Sequence, residues 1–320
     1  MGTAPRRGRV ALTGATGFIG APLTTALDAA GWELRVLARR EPPLLRTTRI
    51  VEVIIGDLSD EKALRQLVDG VDAVVHLAGL VKARSTPEFF RVNAEGTERL
   101  VRAAAALPSP PRFLLVSSLA AREPQLSGYC ASKRGAEEAL RREAGAMRWM
   151  IVRPPAVYGP GDLELLPFFR NIQRGLAPRP SGGLHRVSMI YISDLVEFLV
   201  KSLEESAFSE ACWEIDDGAP GGYSWTDLAT TAAAALGAKP RRVVLPRAVV
   251  DLVARRNEAA MRRGAPARML SRGKVRELFH ADWVAHTRPP AGATAWRPRW
   301  SLARGFEETI EWYRFFGNLK

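Results

Sequence analysis

Hydrophobic positions in the first 155 residues fall into short apolar runs separated by stretches of helical period. The runs Arg9–Thr13, Glu33–Ala38, Ile50–Ile55, Ala73–Leu77, Phe113–Ser117 and Trp149–Arg153 have strand length. Their near-continuous apolar character is that of strands covered on both faces. Between them, Phe18–Ala30, Asp60–Asp69, Glu88–Ala106 and Gly128–Ala144 read as helices. Strand alternating with helix predicts a doubly wound parallel α/β sheet. After Arg153 the rhythm breaks on prolines at 154, 155, 160, 167, 178 and 180. Val187–Ile192, followed by a helix over Ser193–Leu203, reads as a return to the sheet, and from Trp213 the chain is helix-rich. The pattern predicts one unit of residues 9–155 plus 187–212, a smaller, mostly helical lobe of 156–186 plus 213–320, and a flexible tail over 1–8.

Composition narrows the class. The chain has 320 residues, of which 47% are hydrophobic and 25% charged, which excludes disordered, collagenous and coiled-coil proteins. Two cysteines, Cys130 and Cys212, are too few for a disulfide framework or a cysteine zinc site, and fit a reducing, cytoplasmic setting. Arg6-Arg7-Gly8-Arg9 before the uncharged run Val10–Leu27 imitates an export signal, but the glycines, Pro22 and threonines of that run read as strand, turn and helix. Lys plus Arg exceed Asp plus Glu by 46 to 34, a net +12. Arg241–Arg276 alone holds eleven bases against Asp251 and Glu258, so +9 sits in this segment. Such local excess points to a polyanionic neighbour. Within it, Pro246–Arg263 can be drawn as an amphipathic helix, with Val249, Val253 and Ala260 on one side beside Val250 and Met261. Arg247, Asp251, Arg255, Glu258 and Arg262 recur on another side, where i,i+4 pairing would neutralise part of the charge. No nucleic-acid recognition motif accompanies the segment. Two readings stay open: an ordinary solvated face with i,i+4 pairing, or a surface for an anionic membrane face met peripherally from the inner side.

Val10-Ala11-Leu12-Thr13-Gly14-Ala15-Thr16-Gly17-Phe18-Ile19-Gly20 is an apolar strand entering G-x-x-G-x-x-G and then a helix. One glycine permits the tight turn, one lets backbone approach a pyrophosphate, and one lets helix pack on strand. The helix N-terminus behind Thr16, Phe18 and Ile19 then offers amide N–H groups to phosphate. The unit is therefore read as a dinucleotide-binding Rossmann domain. An NAD-type fold places an acid at the end of the second strand for the ribose 2′-hydroxyl. Here that strand ends in Ala38-Arg39-Arg40, and guanidinium forks suit a 2′-phosphate, so NADP(H) is favoured over NAD(H).

Gly128-Tyr129-Cys130-Ala131-Ser132-Lys133 opens a helix, placing Tyr129 and Lys133 one turn apart on one face. Leu114-Leu115-Val116-Ser117-Ser118 ends a strand at the carboxyl edge of the sheet, where doubly wound folds bind ligands. A nearby ammonium favours ionisation of a phenol, so Tyr129 suits proton transfer, with Ser118 hydrogen-bonding the reacting oxygen. The histidines at 76, 185, 280 and 286 are scattered and give no metal site, and His76 reads as a core residue.

With these pieces the chain resembles an extended-type short-chain dehydrogenase/reductase (NAD-dependent epimerase/dehydratase-like). Gly56-Asp57-Leu58, Val75–Gly79, Asn93 with Gly96-Thr97, Arg153–Gly161, Ile190–Leu195 and Tyr223–Leu228 extend the resemblance over nearly the whole chain. It implies that Asp57 and Leu58 hold adenine, and that Ala78 and Gly79 pass under the cofactor ribose. It further implies that Asn93 steadies the central helix and Lys133 grips the nicotinamide ribose. Ser117 and Tyr129 would reach the cofactor, and Pro154, Pro155 and Val157 would line the nicotinamide.

Departures from that family bear on substrate. Ala156 stands where sugar-nucleotide members carry an Asn, and Leu119-Ala120-Ala121 stands where dehydratases carry an acidic pair. The favoured expectation is an NADP(H)-dependent enzyme interconverting keto and hydroxyl groups on a hydrophobic, keto-sphingolipid-like or sterol-like substrate, acting as monomer or homodimer. A sugar epimerase and a non-catalytic dinucleotide-binding subunit remain open alternatives.

Overall fold

A computed structural model of the chain describes residues 7–41, 50–204, 210–289 and 296–319. In chain order the elements are β1 (Arg9–Thr13), α1 (Gly20–Ala29), β2 (Glu33–Ala38), β3 (Ile50–Ile55), α2 (Glu61–Val68), β4 (Ala73–His76), α3 (Thr86–Phe89), α4 (Glu95–Ala105), β5 (Arg112–Val116), α5 (Gly128–Glu143) and β6 (Trp149–Arg153). There follow β7 (Ala156–Tyr158), α6 (Leu166–Gln173), β8 (Leu176–Pro180), β9 (Arg186–Val187), β10 (Met189–Tyr191), α7 (Ile192–Glu204) and β11 (Ala211–Glu214). The last are β12 (Tyr223–Ser224), α8 (Trp225–Leu236), β13 (Arg241–Leu245), α9 (Arg247–Arg262), α10 (Arg272–Leu278), β14 (Asp282–Trp283) and α11 (Leu302–Phe315). Two compact units result: Met1–Arg153 with Val196–Trp213 and Thr287–Trp296, and Pro154–Leu195 with Glu214–His286 and Arg297–Lys320.

The first unit is built on a seven-stranded sheet of order β11-β6-β5-β4-β1-β2-β3, parallel in every pairing among β1 to β6. This is the expected doubly wound Rossmann sheet. Val10, Leu12, Val74, Leu114 and Ile151 have no exposed surface, as strands covered by helices on both faces require. Helix starts are set locally: Asp60 caps α2 through the Ala63 amide, and Ser127 caps α5 through the Cys130 amide. The chain moves outward from β1 to β3 and then returns to lay β4 on the other side of β1. The carboxyl ends of β1 and β4 therefore flank the topological switch point, the place where such sheets bind ligands.

Three expectations change. The Val187–Ile192 stretch does not rejoin the large sheet: β10 pairs in parallel with β7, so residues 187–195 group with the second unit. Thr287–Trp296 groups with the first unit instead. Arg7 and Gly8, expected in the flexible tail, are instead tied to the fold: the Arg7 amide donates to the Gly31 carbonyl and the Gly8 carbonyl accepts from the Glu33 amide. Residues 1–6 lie outside the described set.

The second unit combines small sheets of two or three short strands with α6, α8, α9, α10 and α11. Its core is aromatic, with Phe306 edge-on to both Tyr158 and Phe169 at centroid distances of 5.3 and 5.0 Å. Ser224 and Asp227 form a reciprocal capping box at the start of α8.

In the first unit, a side chain at Gly20 would run into the Gly14 carbonyl, so α1 reaches β1 only because this position has no Cβ. Gly20→Ala is expected to cost about 1–3 kcal/mol by forcing helix and turn apart. A thermal-denaturation midpoint equal to wild type would contradict this.

Candidate active site

The glycine turn and the loop after β4 meet at the switch point. Gly14 has φ +75°, a left-handed conformation open to glycine, and a Cβ there would lie 2.8 Å from the Ala78 amide nitrogen. Gly17 donates its amide to the Gly14 carbonyl at 3.0 Å, closing the turn. No side chain caps α1 at Ile19, and Thr16 and Gly17 are exposed while Phe18 is half-buried. This is a backbone cradle at a helix N-terminus, which suits a pyrophosphate.

A line of buried hydroxyls and one imidazole fixes the two strand ends. The Ala78 amide donates to Thr13 Oγ1 at 3.2 Å, and Thr13 Oγ1 lies 2.6 Å from His76 Nδ1. On the other side of the ring, His76 Nε2 lies 2.9 Å from Thr97 Oγ1, which itself donates to the Asn93 carbonyl at 2.6 Å. Because Thr97 spends its proton on Asn93, the ring must donate from Nε2 and accept at Nδ1 from Thr13. Burial, with the Lys133 charge adding to it, pulls the imidazole down to about 3, so His76 is a neutral core residue and has no proton to lend at pH 7.

Asn93 lies in a wide, π-helical turn over Phe90–Ala94, a distortion frequent at functional sites. Its Oδ1 accepts from the Leu80 amide at 2.7 Å, while Nδ2 donates to the Leu80 carbonyl at 3.0 Å and to Ser132 Oγ at 2.9 Å. Ser132 in turn donates to the Tyr129 carbonyl at 2.8 Å. One amide side chain thus ties the loop after β4 to the first turn of α5. Gly79 is needed there, since a Cβ would press on Asn93 Oδ1 at 3.1 Å and come within 4.0 Å of Lys133 Nζ.

Ser118 follows β5 and turns into a short 3₁₀ segment, its Oγ accepting from the Ala120 amide at 3.2 Å and its own proton left to donate. Tyr129 is half-buried in the first turn of α5, with Phe89 tilted against its ring at 5.9 Å. Lys133 is buried and donates to the Val116 carbonyl at 3.0 Å. Burial pulls its ammonium down to about 8, and the Glu137 charge one turn along works against that fall, so Lys133 stays mostly protonated at pH 7.

Glu137 is the site residue that the sequence reading missed. It has no exposed surface, yet its carboxylate accepts from Ser117 Oγ at 2.6 Å, from Arg153 Nε at 2.8 Å and from a second Arg153 nitrogen at 2.6 Å. Burial pushes the carboxyl up, but Arg153, Ser117 and Arg141 together outweigh it and hold the group below its ordinary value. Ser117, expected on the cofactor, therefore gives its hydroxyl to Glu137, leaving Ser118 as the neighbouring hydroxyl with a proton to offer. The signal was available in Tyr129, Lys133 and Glu137 recurring every fourth residue, but a charged i+4 position reads as solvent face.

The remaining expected positions are spread along the same sheet edge and beyond it. Arg39 and Arg40 are exposed immediately after β2. Asp57 is exposed after β3, held below the ordinary carboxyl range by the Ser59 hydroxyl and amide, with a smaller contribution from the charge of Arg39. Leu58 faces the core, close enough to α4 that Gly96 can carry no side chain. Pro154, Pro155 and Val157 belong to the second unit, Val157 paired with Ile190. Among the described residues no cluster of acidic, histidine or cysteine side chains could hold a metal.

The residues fit a nicotinamide dinucleotide: a backbone cradle whose glycines leave room for it, an uncapped helix start, and arginines beyond β2. Residues 10–212 match the model of the NAD dependent epimerase/dehydratase family. The chain is 41% identical over 315 residues to the ceramide reductase of Caulobacter vibrioides, covering 98% of this chain and 96% of that one. It is 30% identical over 232 residues to the 4-hydroxy-2-methyl-3-oxo-4-farnesyl-3,4-dihydroquinoline-1-oxide ketoreductase of Stigmatella aurantiaca, over 66% of this chain and 69% of the other. Among solved structures, MoeE5 in complex with UDP-glucuronic acid and NAD superposes with a TM-score of 0.71 at 24% identity, covering 97% of this chain and all of that one.

Glu137→Ala would leave the Arg153 guanidinium buried without its carboxylate, and breaking a buried pair from one side costs about 3–5 kcal/mol. Chemical denaturation should show that loss, whereas Glu138→Ala, one residue along and exposed, should stay within about 0.5 kcal/mol of wild type.

Proposed function

The chain belongs to the NAD-dependent epimerase/dehydratase family and is an NAD(P)-dependent oxidoreductase of the extended short-chain dehydrogenase/reductase type; within it, we propose an NADP(H)-dependent enzyme that interconverts a keto and a hydroxyl group on a hydrophobic, lipid-like substrate. The observation that supports the reading is Lys133, buried, mostly protonated at pH 7 and anchored to the Val116 carbonyl close to Gly79, with Tyr129 one turn earlier on α5 and Ser118 just after β5. Likeness over the full length to a reductase named for ceramide supports the substrate class.

In this reading Tyr129 is the acid and base, Ser118 holds the reacting oxygen, and Lys133 supplies charge. The backbone of Gly14–Gly20 holds the pyrophosphate, Arg39 and Arg40 the 2′-phosphate, Asp57 and Leu58 the adenine end, and Ala78 and Gly79 the ribose. Bound nicotinamide supplies or accepts the hydride. In the reducing direction a keto oxygen accepts hydrogen bonds from Ser118 Oγ and Tyr129 Oη. As negative charge develops on that oxygen, the Tyr129 proton passes to it and leaves a phenolate, which the Lys133 ammonium favours. Lys133 is held by Val116 O and Asn93 holds the first turn of α5, so neither partner need reorganise during the transfer. In the oxidising direction Tyr129 takes the proton back. A bulky apolar ketone is drawn from a membrane, which makes the 241–276 segment part of the reading.

Turnover of a long-chain α-acylamino ketone with NADPH tests the reaction, and turnover of UDP-sugars without loss of NADPH would overturn it in favour of epimerisation. Tyr129→Phe should lower turnover by about 10²–10⁴-fold with NADPH affinity nearly unchanged, because only one hydroxyl is lost. Lys133→Ala should impair both. Substantial activity in Tyr129→Phe would remove Tyr129 from the mechanism.

Arg39→Ala with Arg40→Ala should weaken NADPH about tenfold or more, since charge-assisted bonds to the 2′-phosphate disappear, and leave NADH binding nearly as it was. Equal wild-type affinities for the two cofactors would refute the preference.

A further inference from the structure

In the second unit, α9 leaves aliphatic side chains exposed beside unneutralised positive charge. Val250 and Ala254 pack with Val275 of α10, and Met261 is buried on the same side. Val249, Leu252 and Val253 turn outward, with 56, 50 and 43% of their surfaces exposed. At helical spacing these three share a face with Arg256 and Arg263, and Arg255 and Arg262 flank it. The single apolar side expected for this helix is thus divided. The contact with α10 takes the row Val250–Ala254, and the adjoining row, Val249–Leu252–Val253, stays uncovered.

The expected neutralisation is missing as well. Among the described residues no ion pair joins Asp251 to Arg247 or Arg255, and Arg255, Arg256, Arg262 and Arg263 take part in none. Glu258, the other acid of the segment, accepts from the Arg272 amide, and Arg247 lies 5.9 Å from the Phe279 ring centroid. β13, one residue before α9, adds exposed Arg241, Arg242 and Val244.

We propose that this face of α9 docks peripherally on an anionic phospholipid surface, with Val249, Leu252 and Val253 entering the headgroup–acyl boundary and the arginines meeting lipid phosphates. The inference rests on the hydrophobic-substrate reading for its purpose but not for its geometry. Apolar exposure together with unpaired arginine is the two-part requirement of interfacial binding: aliphatic area gives depth, and basic charge gives attraction to anionic lipid. Arginine stems lie along the apolar boundary while their guanidinium heads remain in water. A polynucleotide would use the arginines and gain nothing from the valines, and a second copy would set +9 against +9 across the contact. Among the described residues no helix is long and apolar enough to cross a membrane.

The full chain is sedimented with phosphatidylcholine vesicles, with and without phosphatidylglycerol, at low and high salt. Binding to the anionic vesicles at low salt, reduced by salt, is expected. Val249→Ser/Leu252→Ser/Val253→Ser should weaken it about tenfold, and Arg255→Glu/Arg256→Glu/Arg263→Glu on the order of a hundredfold. Both variants should keep the wild-type circular dichroism spectrum and NADPH turnover of a water-soluble short-chain ketone. The docking proposal is overturned by no low-salt binding, by undiminished binding of the serine variant, by tighter binding of a single-stranded oligonucleotide, or by a dimer that the serine variant breaks. Vesicle binding by a wild type that never oxidises NADPH would sink the oxidoreductase reading and leave the docking face standing.

Discussion

A carboxylate with no exposed surface organises the half of the sheet that carries the Tyr129 helix. Glu137 lies under α5, where its charge is tolerable only because Arg153 meets it with two nitrogens and Ser117 adds a third donor. Those three residues come from α5, β6 and the end of β5, so satisfying one charge sets helix and strands in register. Lys133, one turn earlier, is anchored to the last carbonyl of β5. The same negative charge that holds the helix down also works against the loss of the lysine proton that burial promotes. Packing and proton chemistry here share their atoms.

The other half of the site is held by uncharged polar groups. Thr13, His76, Thr97 and Asn93 form a run of hydrogen bonds from β1 through β4 to the helical segment beyond it, and each donor in the run has one acceptor. Asn93 then reaches both the loop after β4 and Ser132 on α5. A buried polar run of this kind is costly when one member is missing and rigid when complete. Its rigidity lets a backbone cradle of glycines stand where side chains would otherwise hold the turn.

The second unit follows a different rule. Its interior is tied by aromatic edges and by carboxylates accepting backbone amides, as Asp194 does from Arg299 and Trp300. Its charge lies outside, concentrated around α9, where among the described residues Asp251 and Glu258 form no ion pair with the arginines of the helix. Leaving aliphatic side chains exposed in that field costs stability in water, a cost that a partner surface would remove.

The sequence by itself determined the strands of the large sheet, the glycine turn and the Tyr129–Lys133 spacing, because each rests on neighbours a few residues apart. Apolar runs of strand length alternating with helical stretches suit strands between two layers, and the positive φ at Gly14 favours glycine whatever surrounds it. Tertiary structure alone decided which polar residues go inside. Glu137 and Glu138 are adjacent and chemically alike, yet one is sealed in and the other is exposed, because Arg153 waits sixteen residues later in the chain at one position only. Ser117 and Ser118 divide in the same way: Glu137 takes the first hydroxyl, and the second is left at the sheet edge with its proton to give. Val187–Ile192 reads as a return to the large sheet, but the three residues that form the strand, Met189–Tyr191, carry too little pairing information to choose a partner, and β7 takes them. On α9 the helical period was legible, while the row that would be covered depended on where α10 lies. Local geometry is written in short spacings; burial is settled by what arrives from far along the chain.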